Sequence, residues 1–318
     1  MKRFDVIAVG GSTRDFFMYS GNYDVSGNIL KLPWGEKVVA ENLIKEVGGG
    51  GCNGAVSFAR AGLKTSLLTK VGNDSSGENV AHRLKDEGID LGLLKVIPGG
   101  TTSTSFILCN RTGEHAIVMY RGKNDEFTSS EINWNELSNT GWIYLADITA
   151  EQGDLSTEIT QFAKENDIRL AFIPGQHQLK LGVEKLKPVL AGVDVMILNA
   201  FEAATLLEKT SADETLGGEL EMLDYLLQQF SALGVKTTVI TADIHGARAF
   251  DAGKYYFQPA PRVEKTVNTT GAGDAFASAF VASRIKEIEP EDGLKKAAEN
   301  AGAVLGHLGA QTGLTHWR

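Results

Sequence analysis

Short runs of consecutive apolar residues recur along most of the chain, and segments with helical periodicity separate them. The runs lie at 6–10, 66–71, 142–146, 169–173, 193–198 and 235–240. A continuous apolar run indicates a strand buried on both faces, because a strand with one wet face alternates apolar and polar residues. Helices are predicted at 52–62, 75–87, 151–166, 200–208, 218–232, 271–286 and 291–306. Buried strands joined by helices form parallel sheets, so the pattern predicts an α/β fold, an αβα sandwich around a mostly parallel central sheet.

Two inserts interrupt this alternation, at 16–46 and 100–121. They contain strand-like stretches with alternating polar residues, for example from Asn28 to Leu32, which suit a small antiparallel sheet with one wet face. We expect the inserts to form one β-lid over the carboxyl ends of the core strands, where α/β folds bind ligands and where a moving lid excludes water. A static pair of hairpins is the alternative. The expected core comprises 1–15, 47–99 and 122–318.

The acidic composition argues against nucleic acid as a partner. The chain of 318 residues has a formal net charge of −9, whereas phosphate backbones are bound by basic surfaces. Its two cysteines, Cys52 and Cys109, offer neither a disulfide framework nor a structural zinc site, so a reducing cytoplasm is expected. The apolar stretch at 6–10 is too short for a secretory signal, and no window reaches about 18 uninterrupted apolar residues, so no membrane span is expected.

The sequence NTTGAGDAF at 268–276 combines a glycine turn, a helix start and one carboxylate. Apolar residues follow at the helical period, so we expect a helix to begin near Gly271 or Gly273. The first-turn N–H groups and the positive end of the helix dipole then form an anion site. Asp274 could take a proton from a hydroxyl that attacks a bound phosphate, which indicates phosphoryl transfer. Taken alone, the same residues also fit an ordinary turn and helix start.

A second glycine-rich segment, GGGGCNG at 48–54, precedes a helical pattern. Gly49, Gly51 and Gly54 satisfy the dinucleotide fingerprint GxGxxG, which makes a nicotinamide-dependent oxidoreductase one alternative. That fingerprint has to follow a buried strand, however, and 41–47 is too charged to be one.

Binding of a small polar molecule fits this segment better. Backbone N–H groups at its helix start, with the Asn53 amide, can bind hydroxyl groups, and Asp15 can accept hydrogen bonds from two vicinal hydroxyls. No GxxxxGK[ST] sequence is present, so a P-loop is excluded as the phosphate site.

The chain resembles the ribokinase or PfkB family of carbohydrate and nucleoside kinases over nearly its whole length. The sequence GGGGCNGAVSFARAGLKTSLLTKVGND at 48–74 is similar to the N-terminal signature of that family, and NTTGAGDAFASAF at 268–280 is similar to its C-terminal signature. The resemblance implies a ribokinase-like fold with a β-lid, ATP with Mg²⁺, and transfer of the γ-phosphoryl group to a hydroxymethyl group.

The same resemblance implies roles for individual residues. The catalytic base of the family falls on Asp274. Its anion hole falls on Gly271, Ala272 and Gly273. Its substrate contacts fall on Asp15, Gly49, Gly50 and Asn53. Its nucleotide contacts fall on Asn199, Thr241 and Gly246. Asn199 and Glu202 match the NxxE pattern whose Glu organises the magnesium ion and its waters, although the spacing is also that of a capping box, and both roles are expected.

Two residues depart from the family pattern. Asp243 stands where a glycine is usual, and a carboxylate near ATP phosphates is unfavourable unless it points away or meets the metal. Asn268 stands where an Asp helps hold a monovalent cation in many members, and a neutral amide attracts a cation less. We therefore expect weak or absent activation by potassium.

Other reactive residue types are expected to be structural. The six histidines show no paired metal spacing, and Cys52 has no histidine near it in sequence, so packing or a mild substrate contact is expected for it. Arg121 and Lys123 could reach a substrate phosphate or could be solvated turn residues, and no role is assigned to them.

The interpretation most consistent with these motifs is an ATP-dependent sugar kinase that uses Asp274 as its general base. The alternatives are a nucleoside kinase of the same fold, a nicotinamide-dependent oxidoreductase and a non-catalytic sugar- or nucleotide-binding protein. A small sugar or nucleoside is the expected partner, and an exposed lid edge favours a homodimer.

Overall fold

The computed structural model describes residues 2–27, 29–110, 115–122, 126–150, 155–209 and 219–317. Asn28 and Lys123 therefore lie outside the described residues, as do 151–154 and 218 at the starts of two predicted helices.

The strands, in chain order, are β1 (Phe4–Val9), β2 (Thr13–Tyr19), β3 (Asp24–Ser26), β4 (Ile29–Lys31), β5 (Asn42–Gly48), β6 (Thr65–Gly72), β7 (Leu94–Ile97), β8 (Thr104–Cys109), β9 (His115–Tyr120), β10 (Glu126–Phe127), β11 (Thr140–Leu145), β12 (Thr149–Ala150), β13 (Arg169–Phe172), β14 (Val195–Asn199), β15 (Thr237–Thr241), β16 (Ala247–Asp251) and β17 (Lys254–Gln258). The α-helices are α1 (Gly50–Arg60), α2 (Ser75–Asp86), α3 (Trp134–Leu137), α4 (Leu155–Glu165), α5 (Gln176–Leu190), α6 (Ala200–Leu206), α7 (Glu219–Ala232), α8 (Ala272–Ile285) and α9 (Pro290–Leu305).

Within the described residues, nine strands form the central sheet in the order β17-β16-β15-β14-β13-β11-β1-β6-β7. Neighbours from β15 to β7 are parallel, and β16 and β17 continue the sheet as an antiparallel pair. The predicted fold class, an αβα sandwich with a mostly parallel sheet, is confirmed. Each continuous apolar run of the sequence belongs to one of the parallel strands.

Both faces of the central sheet are covered by helices. Val6 of β1 belongs to the apolar cluster that also contains residues of α1, α8 and α9, whereas its neighbour Ile7 belongs to the cluster that contains residues of α4, α5 and α7. Successive strand residues point to opposite faces, so a strand between two helical layers needs apolar residues at every position. Each such side chain stabilises the fold by about 1.5–3 kcal/mol relative to exposure.

The two inserts combine in a small four-stranded sheet of the order β5-β2-β8-β9 within the described residues. Its pairs are antiparallel except for β2 and β8, which come from different inserts and run parallel, so the expectation of a purely antiparallel sheet was wrong. The strands also run beyond the predicted insert 16–46, because β2 begins at Thr13 and β5 ends at Gly48. Asp15 consequently lies on the small sheet.

The helix α5 was not predicted, and its sequence explains why. Gly182 interrupts it with φ 77° and ψ 163°, and Pro188 lies inside its second half. Both residues are strong breakers of a helical pattern. Within the described residues, no helix has the length and apolar character that crossing a bilayer requires.

Candidate active site

The helix α8 begins at Ala272, and Gly271 forms its N-cap in the left-handed conformation, with φ 82°. A Cβ on Gly271 would lie 2.2 Å from the Cβ of Ala310, so the turn requires glycine for its backbone conformation and for its close packing. The helix start is where the sequence predicted it, and it places Asp274 in the first turn.

Gly273 lies in the same first turn and is exposed. No atom lies within 4 Å of a Cβ built on this residue, so the space above it is open. The N–H groups of a first helical turn have no acceptor within the helix, and they lie at the positive end of the helix dipole. The turn therefore has the open space and the donors that an anion site needs.

Asn268 supports this turn from below. Its side chain is 2% exposed, and its Oδ1 accepts a hydrogen bond of 2.6 Å from the backbone N–H of Thr270. The amide oxygen is thus already used in holding the turn.

The carboxylate of Asp274 is held by the N-terminal glycine-rich region of the chain. Its Oδ2 accepts a hydrogen bond of 2.8 Å from Nδ2 of Asn53 on α1. Burial raises the pKa of Asp274 above its ordinary value, and the hydrogen bond from Asn53 partly opposes that increase. A Cβ on Gly50 would lie 3.7 Å from Oδ1, the other carboxylate oxygen of Asp274. The structure therefore brings together the two signature segments.

The start of α1 packs directly on the loop that follows β1. Gly49 is the N-cap, with φ 95°, and a Cβ on Gly51 would lie 2.6 Å from the carbonyl carbon of Gly10. The N–H of Cys52 donates to the carbonyl oxygen of Gly11 at 3.3 Å. These close approaches explain the run of glycines.

The same geometry removes the oxidoreductase alternative. A dinucleotide fingerprint follows a strand of the core sheet, whereas α1 follows β5, which belongs to the small sheet. Burial raises the pKa of the neighbouring Cys52 thiol to about 12. A thiol with that pKa stays protonated, as befits a packing residue.

Asp15 is 6% exposed, on the buried face of the small sheet. Its Oδ1 accepts a hydrogen bond of 2.9 Å from Oγ1 of Thr13, and a Cβ on Gly48 would lie 2.1 Å from its Oδ2. Burial raises the pKa of Asp15, and hydrogen bonds from Thr13 and Ser105 oppose the increase. The carboxylate thus lies over the strand that leads into the glycine-rich helix start.

Asn199 and Glu202 form a capping box at the start of α6, as their spacing predicted. The backbone N–H of Asn199 donates to Oε2 of Glu202 at 2.8 Å, and the N–H of Glu202 donates to Oδ1 of Asn199 at 2.8 Å. Burial raises the pKa of Glu202, the Asn199 N–H opposes the increase, and the negative charge of Asp274 raises it further. The charge of Asp274 is thus felt at the Glu202 carboxyl group.

The segment from Thr241 to Gly246 lies beside that capping box, because Thr241 pairs with Asn199 in neighbouring parallel strands. A 3₁₀ turn at Asp243–His245 follows. Asp243 has φ 44°, a left-handed conformation that favours glycine and that Asp tolerates better than most residues. Gly246 has φ 89°, and a Cβ there would lie 2.2 Å from the carbonyl oxygen of Gln258.

A cleft of about 590 Å³ lies between the chain after β17 and one face of α9. Its lining includes Pro261, Val263, Ala298, Gly302 and Gly306. It ends beside the turn at the start of α8, since the backbone nitrogen of Asn268 lies 3.4 Å from the carbonyl oxygen of Leu305. Sequence reasoning missed this cleft, although the small residues at 298, 302 and 306 recur every fourth position and so share one helix face.

Arg121 forms an ion pair of 3.6 Å with Asp147. No group of three or more His, Cys, Asp or Glu residues that could hold a metal ion occurs in the part of the chain that the structure describes.

Comparison with known proteins identifies the family. The pfkB family carbohydrate kinase model matches residues 18–317. The chain is 27% identical over 295 residues to an ATP-dependent ribose-1-phosphate kinase of Halopiger xanaduensis, covering 92% of each protein. It is 25% identical over 294 residues to a ribokinase of Haemophilus influenzae, covering 90% of this chain and 91% of that one.

Solved structures agree on the fold. An Arabidopsis thaliana ribokinase complexed with ribose and ATP superimposes with a TM-score of 0.80 at 20% identity, covering 98% of this chain and 96% of that one. The chain therefore belongs to the pfkB family of carbohydrate kinases, a sugar or nucleoside kinase of the ribokinase type that transfers a phosphoryl group to an alcohol.

Proposed function

We propose that this protein transfers the γ-phosphoryl group of ATP to a hydroxymethyl group of a small sugar, with Asp274 as the general base. One observation carries the proposal: the carboxylate of Asp274 lies in the first turn of α8 and is held at 2.8 Å by Asn53 of the glycine-rich segment. A base is thereby fixed between an anion site and a segment suited to hydroxyl groups.

The chemistry of Asp274 fits that role. A carboxylate whose pKa is raised by burial is a better proton acceptor than an exposed one, while the Asn53 hydrogen bond keeps the ionised form accessible. In the proposed step, Asp274 takes the proton of the acceptor hydroxyl. The hydroxyl oxygen forms the new bond to the γ-phosphorus, and the bond from that phosphorus to the bridging oxygen of ADP breaks.

The acceptor is proposed to bind Asp15, Gly49, Gly50 and Asn53. Asp15 offers carboxylate oxygens to sugar hydroxyls, and its burial strengthens each hydrogen bond that it accepts. Gly49 and Gly50 begin α1 and bring backbone N–H groups close to a ligand with no Cβ between.

The nucleotide is proposed to bind along Asn199, Thr241 and Gly246 and in the cleft between the chain after β17 and α9. The backbone N–H groups of Gly271, Ala272 and Gly273 are proposed to stabilise the negative charge that develops on the transferred group, the N–H of Ala272 being shared with the carbonyl oxygen of Thr269, to which it donates at 3.3 Å. The cleft ends beside the turn at the start of α8, so one nucleotide can place its nucleobase in the cleft and its phosphates at the turn.

Magnesium is the proposed metal. The negative charge of Asp274 raises the pKa of Glu202, so two ionised carboxylates repel each other here, and a divalent cation bound through its waters to Glu202 would relieve that repulsion. Bound there, Mg²⁺ neutralises charge on the phosphate oxygens. For a monovalent cation the fit is poor, because the Asn268 oxygen is neutral and already accepts the Thr270 N–H at 2.6 Å.

The small sheet is the proposed lid and dimer surface, in the cytoplasm where ATP is available. Its outer face exposes Phe106, Val118 and Tyr120, and β9 is one of the two edge strands of that sheet. An exposed apolar face with an open edge favours pairing with a second copy. Val118→Asp should give a monomer in light scattering, whereas Val96→Asp, equally exposed on β7, should not change the mass.

A nucleoside acceptor is the alternative, and it changes only what lies between Asp15, Asn53 and the small sheet. The deciding experiment measures acceptor-dependent ADP formation with pentoses, hexoses, sugar acids, sugar phosphates and nucleosides. A free or phosphorylated sugar as the best acceptor supports the proposal. A nucleoside as the best acceptor replaces it with the alternative, and ATP consumption that no acceptor stimulates rejects both.

A further inference from the structure

Gln311 is a buried residue whose side chain contacts both α1 and α2. It is 1% exposed. Its Nε2 donates a hydrogen bond of 3.0 Å to Oδ1 of Asn53, and its Oε1 accepts one of 3.0 Å from Nε of Arg83. Asn53 in turn donates to Asp274 at 2.8 Å. An unbroken row of hydrogen bonds therefore runs from Arg83 to the proposed base.

Arg83 determines which group donates and which accepts in each of these hydrogen bonds. An amide group can turn over and exchange its oxygen for its nitrogen, but a guanidinium has only donors. Arg83 therefore requires the oxygen of Gln311, which leaves the NH₂ of Gln311 for the oxygen of Asn53. The NH₂ of Asn53 is then left for the carboxylate of Asp274, which only accepts.

We propose that Gln311 is a positioning residue for the phosphoryl transfer, an inference that rests on Asp274 as the general base. It holds the Asn53 amide with its NH₂ group towards Asp274. Without Gln311 the Asn53 oxygen loses its donor, and only the carboxylate of Asp274 still orients the Asn53 amide, so the amide and the carboxylate that it binds are held less firmly. The carboxylate would shift away from the acceptor hydroxyl, and a displacement of even about 1 Å can cost on the order of 100-fold in rate.

The backbone of Gln311 is held independently of its side chain. Nη1 of Arg60 donates to the carbonyl oxygens of Gln311 at 2.8 Å and Leu314 at 3.0 Å, and Arg60 pairs with Glu87 at 2.6 Å. Anchoring of this segment and orientation of Asn53 are thus two separable functions, and each can be altered alone.

The first test compares Gln311→Met with Arg60→Lys. Methionine fills the space of glutamine without a strong donor or acceptor, so Gln311→Met should lower kcat on the order of tenfold, a part of the roughly 10²–10⁴-fold that a positioned base supplies. The KM for ATP should stay within about twofold, since the contacts proposed for the nucleotide include neither Gln311 nor Asn53. Arg60→Lys weakens the anchor, so it should lower Tm and leave kcat unchanged. A loss of kcat that follows Tm equally in both variants would overturn the proposal.

The second test uses Gln311→Glu, which separates stability from activity. A glutamate keeps the partner of Arg83, so the folded protein should retain its Tm. Its carboxylate has only acceptors, so it competes with Asp274 for the NH₂ of Asn53, and in either orientation the Asn53 oxygen faces a carboxylate. We expect kcat below that of Gln311→Met. A variant with unchanged Tm and unchanged kcat contradicts the proposal.

The third test asks whether Gln311 acts through Asn53. In the Asn53→Leu background there is no amide to orient, so adding Gln311→Met should leave kcat unchanged. A further tenfold loss in the double variant would mean that Gln311 acts by another route, and the proposal would fall. The variant Asp274→Asn distinguishes failure of the role proposed for Gln311 from failure of the proposed function. If Asp274→Asn retains turnover the base is misassigned, whereas if it is inactive and Gln311→Met is fully active, only the role of Gln311 is refuted.

Discussion

The amide nitrogen of Asn53 lies 2.8 Å from Oδ2 of Asp274, although 221 positions separate the two residues along the chain. The bond joins the first turns of α1 and α8. This hydrogen bond, together with the packing of α1 against α8, fixes the segment proposed to bind the acceptor relative to the turn proposed to bind the phosphate.

Replacing Asp274 with Asn should remove most of the activity without removing nucleotide binding. The amide keeps the size of the side chain but cannot take a proton, so kcat should fall by about 10²–10⁴-fold. Steady-state ADP formation measures kcat, and calorimetric titration with ATP measures the Kd, which should change by less than about threefold. Near-normal turnover would show that another group is the base.

The raised pKa of Asp274 also predicts how stability depends on pH. Because the folded state raises this pKa above its ordinary value of 3.8, the folded protein binds the proton more readily than the unfolded chain. The ionised carboxylate therefore destabilises the fold, fully at pH values above the folded pKa and not at all below the unfolded pKa.

Asp274→Asn should consequently have a higher Tm than the wild type at pH 7, and the difference should shrink as the pH falls towards 4. The kcat of the wild type should fall over the same acidic range, as the base becomes protonated. Calorimetry across this range checks the first statement and initial rates check the second. A lower Tm for the variant at pH 7 would refute the assigned direction.

Gly271 and Gly273, at the start of α8, should respond differently to substitution by alanine. At Gly273 a Cβ meets nothing within 4 Å, so Gly273→Ala should fold with a normal Tm yet intrude on the space expected for the phosphate, with a loss of kcat/KM on the order of tenfold or more. Gly271→Ala combines φ 82° with a contact of 2.2 Å to Ala310, which should cost about 2–5 kcal/mol in the free energy of unfolding. Full activity in Gly273→Ala would mean that no phosphate binds there.

Asn268 predicts that potassium will not activate the enzyme. Its neutral side chain attracts a cation less than a carboxylate would, and its oxygen already accepts a hydrogen bond from the Thr270 N–H. Rates measured with potassium chloride and with a tetramethylammonium salt at equal ionic strength should agree. Asn268→Asp supplies the missing charge and should show activation that the wild type lacks, whereas a severalfold activation of the wild type would contradict the prediction.

Asp243 should weaken ATP binding through its charge. It is exposed and lies in the loop expected to meet the phosphates, so Asp243→Gly should lower the KM for ATP by about two- to threefold at low salt and less at high salt. Asp167 is the matched control: it is also an exposed aspartate with positive φ, 53° against 44°. It precedes β13, however, at the amino ends of the parallel strands, whereas Asp243 follows β15, at their carboxyl ends. Asp167→Gly should leave the KM unchanged; an equal decrease in both variants would point to backbone effects instead.

The central sheet could be predicted from the sequence because its strands are buried on both faces and leave continuous apolar runs. The antiparallel strands β16 and β17 leave a weaker signal, since their positions alternate in burial and include exposed residues such as Lys254 and Phe257. The helix α5 was missed because Gly182 and Pro188 hide its pattern. Elements whose structure depends on tertiary packing leave only a weak pattern in the local sequence.

Some residues of the candidate site could be predicted from the sequence and others could not. Asp274, Asn53 and the capping box of Asn199 and Glu202 lie in local motifs, so their neighbourhood could be read from a few residues each. Gln311 lies in no such motif. Its importance comes from contacts with α1 and α2 across more than two hundred positions, and a single glutamine carries no pattern that sequence analysis can detect.

Asp15 belongs to a strand of the small sheet, whereas Asn53 and Asp274 belong to helices of the core. A sugar held by all three side chains would join the small sheet to the core. Its residence time would then be limited by separation of the sheet from the core, so product dissociation should slow with solvent viscosity even when the chemical step does not.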